Sequence, residues 1–148
     1  MADSQSGTHA PADSNPADIM CQTEKMAWIP FTDAISYKVL RVSAETGTWT
    51  VLFKCDKGSS FAPHFHYGAG EYLMIKGVMD YRAGVAHAGD YGYEPLGVYH
   101  ERTEFVEDTV LWFSNHGPVA FVNPDKSILI MLDWKFFADA QAKQALAA

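Results

Sequence analysis

From Met26 onward the apolar positions of this chain fall in short, β-favouring runs separated by turn residues. Eight runs stand out: MAWIPF (26–31), SYKVLRVS (36–43), TWTVLFKC (48–55), EYLMIKG (71–77), VMDYRAG (78–84), TVLWFSN (109–115), VAFVN (119–123) and SILIMLDW (127–134). In the third, Trp49, Val51, Phe53 and Cys55 share one face of an extended strand, the pattern of a sheet with one side in a core. Asn123-Pro124-Asp125-Lys126 predicts a hairpin turn between the last two runs. The tail KFFADAQAKQALAA (135–148) is Ala-rich and predicts a short C-terminal helix. Many short strands without βαβ alternation predict an all-β architecture, a closed or two-sheet barrel ending in one helix. Residues 1–22, rich in Ala, Ser, Asp and Pro, offer little to bury and are expected to form a flexible tail, leaving 23–148 as a single domain.

Composition narrows the function classes. A net charge of −7 argues against a nucleic-acid surface, which needs clustered Lys and Arg. The longest apolar run, 128–132, stops at Asp133 and is too short to span a bilayer, and the polar N-terminus lacks the apolar core of a secretory signal. Cys21 and Cys55 have neither metal nor redox spacing and read as free thiols of a cytoplasmic protein.

The stretch GSSFAPHFHYGAGEYLMIKG (58–77) carries the chemistry. His64 and His66 project side by side from a strand while Phe65 points the other way, as two ligands of one metal would. About twenty residues later GDYGYEPLGVYHERTE (89–104) is punctuated by Gly89, Gly92, Pro95 and Gly97 and reaches His100 beside Tyr99. An intervening hairpin of that length brings a second strand alongside the first, and His100 then completes a triad. His9 lies in the tail with no assigned role, and His87 and His116 fall in Gly-rich contexts that predict solvated side chains.

These two stretches resemble the paired motifs of the cupins. Gly58, His64, His66, Glu71 and Gly77 match the first; Gly89, Pro95, Gly97 and His100 match the second, with Glu104 where an Asn is usual. The resemblance implies a double-stranded β-helix (jelly-roll) barrel holding a metal in its mouth. The texture of TWTVLF, GSSFAPHFHYGAGEY, KGVMDYRAG, YGYE, HERT and HGP is similar to the small single-domain cupins typified by β-diketone and dihydroxyacetophenone dioxygenases. That likeness implies a non-haem Fe²⁺ centre on His64, His66 and His100, with Phe61, Tyr72, Arg82, Glu94 and Thr103 around the pocket. Leu111 and Asn115 depart from it, standing where the acetylacetone-cleaving members carry phenylalanines, and imply a roomier, more polar pocket.

Three neutral imidazoles leave a divalent ion its full charge and open positions, so a β-dicarbonyl or hydroxyketone can bind as its enolate and O₂ can attack the electron-rich skeleton. Ligand type alone leaves Fe²⁺, Zn²⁺, Ni²⁺ and copper open. Glu71 either joins the ligands or forms a salt bridge away from them. Glu94 and Arg82 either pair inside the barrel or orient ligands and substrate, and Glu94 is expected to tune the metal rather than hold it. The functional expectation is a C–C-cleaving dioxygenase; a zinc-bound, non-catalytic binding or sensor module is the alternative, and a metal-dependent isomerase or hydrolase a third.

A homodimer or homotetramer is also expected, because Trp28, Phe31, Tyr37, Trp134, Phe136 and Phe137 exceed what a lined barrel can bury and would leave an apolar patch. The intramolecular alternative is that the tail or the terminal helix folds over them.

Overall fold

The computed structural model describes residues 18–147. A single 3₁₀ turn, Thr23–Lys25, precedes the strands β1 (Ile29–Pro30), β2 (Ile35–Val42), β3 (Trp49–Cys55), β4 (Ser60–Phe61) and β5 (His64–His66). There follow β6 (Gly70–Lys76), β7 (Val78–Tyr81), β8 (Gly84–His87), β9 (Tyr91–Glu94) and β10 (Tyr99–His100). The chain closes with β11 (Thr103–Phe105), β12 (Thr109–Asn115), β13 (Val119–Val122), β14 (Ile128–Leu132) and helix α1 (Trp134–Ala147).

The pairing rule is simple. β3 pairs with β12, β4 with β11, β5 with β10 and β6 with β9, all antiparallel. Strands β3 to β6 and β9 to β12 are therefore the two arms of one long hairpin, with the β7–β8 hairpin at its tip. The hairpin coils on itself, because β12 also pairs with β6, β11 with β7 and β5 with β13. The result is a β-helix of two strands, laid out as a six-stranded sheet (β1-β2-β3-β12-β6-β9) and two four-stranded sheets (β10-β5-β13-β14 and β4-β11-β7-β8). The all-β barrel with one terminal helix expected from the run pattern is what forms.

Burial follows the alternation. On β3, Trp49, Val51, Phe53 and Cys55 are all buried, and on β12 Thr109, Leu111, Phe113 and Asn115 face the same interior. The turn at 123–126 closes through the Lys126 amide donating to Asn123 O and the Asn123 amide to Ser127 O, at 2.8 and 2.9 Å. Lys126 accepts a left-handed φ of 66° there.

Three expected boundaries move for local reasons. The run at 26–31 shrinks to two residues, since Pro30 lacks an N–H and only an edge strand tolerates it. The run at 78–84 ends at Tyr81, where a turn starts β8. The last strand stops at Leu132 because Asp133 caps the helix: its carboxylate accepts the Phe136 amide at 2.8 Å, a cap worth about 1 kcal/mol.

That helix overturns the expected aromatic patch. Phe137 is fully buried, its ring 4.5 Å from Trp49 and 5.1 Å from Tyr37. Phe31, Trp134 and Phe136 pack partly buried on the same core, and Trp28 lies under the ammonium groups of Lys38 and Lys54, at 4.3 and 4.9 Å from the ring centre. Gln141 ties the helix down by donating to Val39 O at 3.1 Å. Tyr37 and Phe137 are thus covered fully and the other four in part within one chain. Most of the expected tail, residues 1–17 with His9, lies outside the described residues. Among the described residues no helix is long and apolar enough to cross a membrane.

Candidate metal centre

His64 and His66 leave β5 on its inner face, both buried, while Phe65 turns outward against Tyr67 at 4.8 Å. β10 lies antiparallel beside β5 with His100 directly opposite His64. The three imidazoles converge as a near-equilateral cluster, with ring centres 5.1 Å (64 to 66), 4.9 Å (64 to 100) and 4.8 Å (66 to 100) apart. The Nδ1 of His64 lies 2.8 Å from Ala62 O, which fixes the tautomer as a donor there and leaves Nε2 facing the cluster.

A carboxylate arrives from the opposite sheet. Glu94 ends β9, six residues before His100, and the turn through Gly97 (φ 82°) carries the chain from the six-stranded sheet to β10. Its Oε2 stands 2.9 Å from His66 Nε2 and its Oε1 3.7 Å from His100 Nδ1. One donor atom from each of His64, His66, Glu94 and His100 fits within 4.8 Å of the others, and all four residues are buried. Despite the short approach, His66 Nδ1 and Nε2, Glu94 Oε2 and His100 Nδ1 satisfy no hydrogen bond. Buried polar atoms left unpaired are costly; those of His66, Glu94 and His100, gathered with His64 into one cluster, fit a shared cation. Two donors each about 2.1 Å from one ion and at right angles would stand about 3 Å apart, which matches the His66–Glu94 separation.

The electrostatics suit the same purpose. Burial drives the His64 imidazole down to about 4, and burial first, then the neighbouring His66, holds His100 below the ordinary histidine value against the pull of Glu94. Neutral rings are the ligand form. Burial raises the Glu94 carboxyl, but the adjacent imidazoles, His66 foremost, pull it below the ordinary value and keep it ionised.

The remaining expected residues scatter more widely. Tyr72 is buried and donates to Tyr81 Oη at 2.8 Å; the Tyr81 ring in turn lies 6.0 Å from His100. Gly92 makes room for it, since a Cβ there would strike the Tyr72 ring. Thr103 and Phe61, paired across β11 and β4, both line the chamber beside the cluster. Arg82 does not pair with Glu94: it is exposed, and its Nη1 donates to Tyr99 O at 3.3 Å. Glu71 faces outward, accepting from Tyr91 Oη at 2.6 Å with His116 Nε2 at 3.7 Å, so the carboxylate beside the histidines is Glu94. His87 and His116 are exposed, as expected. The chamber that opens from the cluster is walled mainly by Trp49, Phe53, Leu111, Phe113, Phe121 and Leu132, with Asn115 as a further polar side chain.

Residues 16–120 match the ChrR cupin-like domain family. The chain belongs to that family. This cupin is 35% identical over 125 residues to the acetylacetone-cleaving enzyme of Acinetobacter johnsonii, covering 77% of this chain and 80% of the relative. The crystal structure of an acetylacetone dioxygenase from the same organism superposes with a TM-score of 0.79 at 30% identity, over 86% of this chain and 93% of that one. A candidate acetylacetone dioxygenase from Methylibium petroleiphilum is similar at 39% identity and a TM-score of 0.77, over 89% and 96% of the two chains. The cupin fold and the relation to acetylacetone dioxygenases expected from the motifs are both present.

Proposed function

We propose that this cupin is a non-haem iron dioxygenase that cleaves a C–C bond of a β-diketone or hydroxyketone-like substrate bound as its enolate. The observation that carries the reading is four buried donor residues, His64, His66, His100 and Glu94, converging at one end of a largely apolar chamber in a relative of acetylacetone dioxygenases, with atoms of His66, His100 and Glu94 left without a hydrogen bond. Fe²⁺ held by the three histidines would supply Lewis acidity toward the enolate and redox chemistry toward O₂. The carboxylate of Glu94 accepts the proton that the substrate's central carbon loses on enolisation. The Tyr81 ring beside His100, held by the Tyr72 hydroxyl, limits how that imidazole can turn. Thr103 and Phe61 bear on the substrate body, and the apolar walls exclude water. Arg82 acts from the rim, holding the β10 carbonyl next to His100.

The test is metal analysis of protein purified without added zinc, then reloading with Fe²⁺, Zn²⁺ or Ni²⁺ and measuring O₂ uptake against a diketone panel. Uptake of one O₂ per diketone by the iron form alone is the expected result. Tight diketone binding with no uptake in any metal form would instead support the zinc-bound sensor.

Two further properties belong to the same proposal. The unpaired thiols Cys21 and Cys55 support a cytoplasmic location. Support for a homodimer or homotetramer moves to the outer face of the six-stranded sheet, where Leu52, Trp112, Leu73 and Tyr91 form one cross-strand row.

A further inference from the structure

Asn115 ends β12 in the barrel interior with 0% of its surface exposed, and neither its Oδ1 nor its Nδ2 has a hydrogen-bond partner. A buried carboxamide left wholly unpaired works against the fold, whereas an apolar residue of the same size would not. The side chain lines the chamber that the metal cluster faces.

Its placement relative to that cluster is set by strand register. Asn115 lies opposite Gly70, and Gly70 lies opposite Glu94, so the three form one row across β12, β6 and β9. Neighbouring strands stand about 4.8 Å apart, so Asn115 and Glu94 sit on the order of 10 Å apart at the backbone. Gly70 leaves the middle of the row open, and the carboxamide leans into it: a Cβ on Gly70 would come within 2.6 Å of Asn115 Oδ1. The amide therefore occupies the gap over Gly70, between its own strand and the strand that carries Glu94, on the chamber the cluster faces.

We propose that Asn115 is a specificity residue, and that the substrate carries a third, uncharged polar group, a hydroxyl placed next to its chelating oxygen pair. The inference rests on the metal-dioxygenase reading and names the substrate class of that site. A hydroxyl donates and accepts at once, which answers both orphan atoms of the carboxamide. A carboxylate in its place is disfavoured, because among the described residues no Lys or Arg lines the chamber to neutralise it. Among the described residues, the only other uncharged polar side chain on the wall is Thr103. A plain alkyl diketone fills the chamber but leaves the carboxamide dry and unpaired; a site built to hydrogen-bond a hydroxyl discriminates strongly against the analogue lacking it.

The experiment compares acetylacetone with its terminally hydroxylated analogue, 1-hydroxypentane-2,4-dione, binding anaerobically to the metal-loaded protein by calorimetry. Wild type should bind the hydroxylated compound about tenfold or more tightly, and Asn115→Leu should erase or invert that preference while keeping acetylacetone binding. The two-ligand comparison on wild type stands even if the variant fails to fold. Binding of both compounds with no preference in wild type, or a preference that survives Asn115→Leu, overturns this inference and leaves the dioxygenase reading intact. Binding of neither by any metal form overturns the dioxygenase reading and this inference with it.

Discussion

His66 Nε2 and Glu94 Oε2 lie 2.9 Å apart inside the barrel and make no hydrogen bond with each other. Three histidines come from one sheet and the carboxylate from the sheet facing it, so the fold itself holds the fourth donor against the first three. Glu94 thus lies within reach of any ion the histidines share, and we propose that it acts as a co-ligand or immediate partner of that ion, where the motif pattern suggested a tuning role. Glu94→Gln should weaken divalent-metal affinity about ten- to a hundredfold, read by competition with a chromophoric chelator. Unchanged affinity would return Glu94 to a purely tuning part.

Metal removal should cost stability, because chelation leaves buried polar atoms of His66, Glu94 and His100 unpaired. Metal at a hundred times its dissociation constant adds about 2.7 kcal/mol, or roughly 5–10 °C in Tm for a chain of this size. Thermal unfolding of chelator-treated and reloaded protein measures it. His100→Ala should abolish the shift; a full shift in that variant would dismantle the triad.

The metal-free protein should also be acid-sensitive in a defined window. The His64 imidazole is held at about 4 by burial, against about 6.5 in an unfolded chain. Between those values the unfolded state binds a proton that the native state refuses, so stability rises with pH there and is lost on acidification from 6.5 toward 4. The slope approaches about 1.4 kcal/mol per pH unit for one such group. Urea unfolding of chelator-treated protein across this range tests it, with His64→Asn expected to flatten the slope. An equal slope in the variant would remove His64 as the cause.

Which parts of the site were readable follows from what strand parity can say. His64 and His66 declared themselves by i, i+2 spacing on one strand. His100 followed because the hairpin length between the motifs brings β10 beside β5. The same parity excludes Glu71: it neighbours Tyr72 and alternates with Met74, both buried, so it must face out. In YGYE the exposed Tyr91 and Tyr93 put Gly92 and Glu94 inside, a signal present in the sequence but masked by Pro95 and Gly97. That Glu94 meets the histidines from the facing sheet, and that Asn115 lacks any partner, depends on three-strand register, which no local pattern encodes. The surplus of aromatics misled because the sequence does not say where a terminal helix docks; Phe137 seats it between Trp49 and Tyr37.

The two thiols should differ in reactivity. Cys55 has no exposed surface, and burial together with Asp56 pushes its thiol well above the ordinary range. Cys21 is half-buried near the surface, its Sγ 3.5 Å from Leu40 O. One thiol per chain should react with a disulfide reagent at neutral pH in the native protein, and two in denaturant. Rapid modification of both without denaturant would mean that the β2–β3–β12 core opens readily.

The two bracketing glycines of the first motif should tolerate substitution unequally, although both take left-handed backbone, with φ of 83° at Gly58 and 90° at Gly77. Around Gly58 a Cβ meets open space, so Gly58→Ala should cost only the conformational penalty, about 1 kcal/mol. At Gly77 the same atom would land on Asp108 O and on Thr109. Thr109 cannot step aside cheaply, because its hydroxyl accepts the Val78 amide at 3.2 Å and donates to Glu107 O at 2.8 Å. Gly77→Ala should therefore cost about 3 kcal/mol or more, adding steric displacement and broken hydrogen bonds to the backbone penalty. Urea unfolding of the two variants under identical metal loading makes the comparison. Equal losses would show that the motif needs Gly77 for its dihedral alone and not for the close approach of β12.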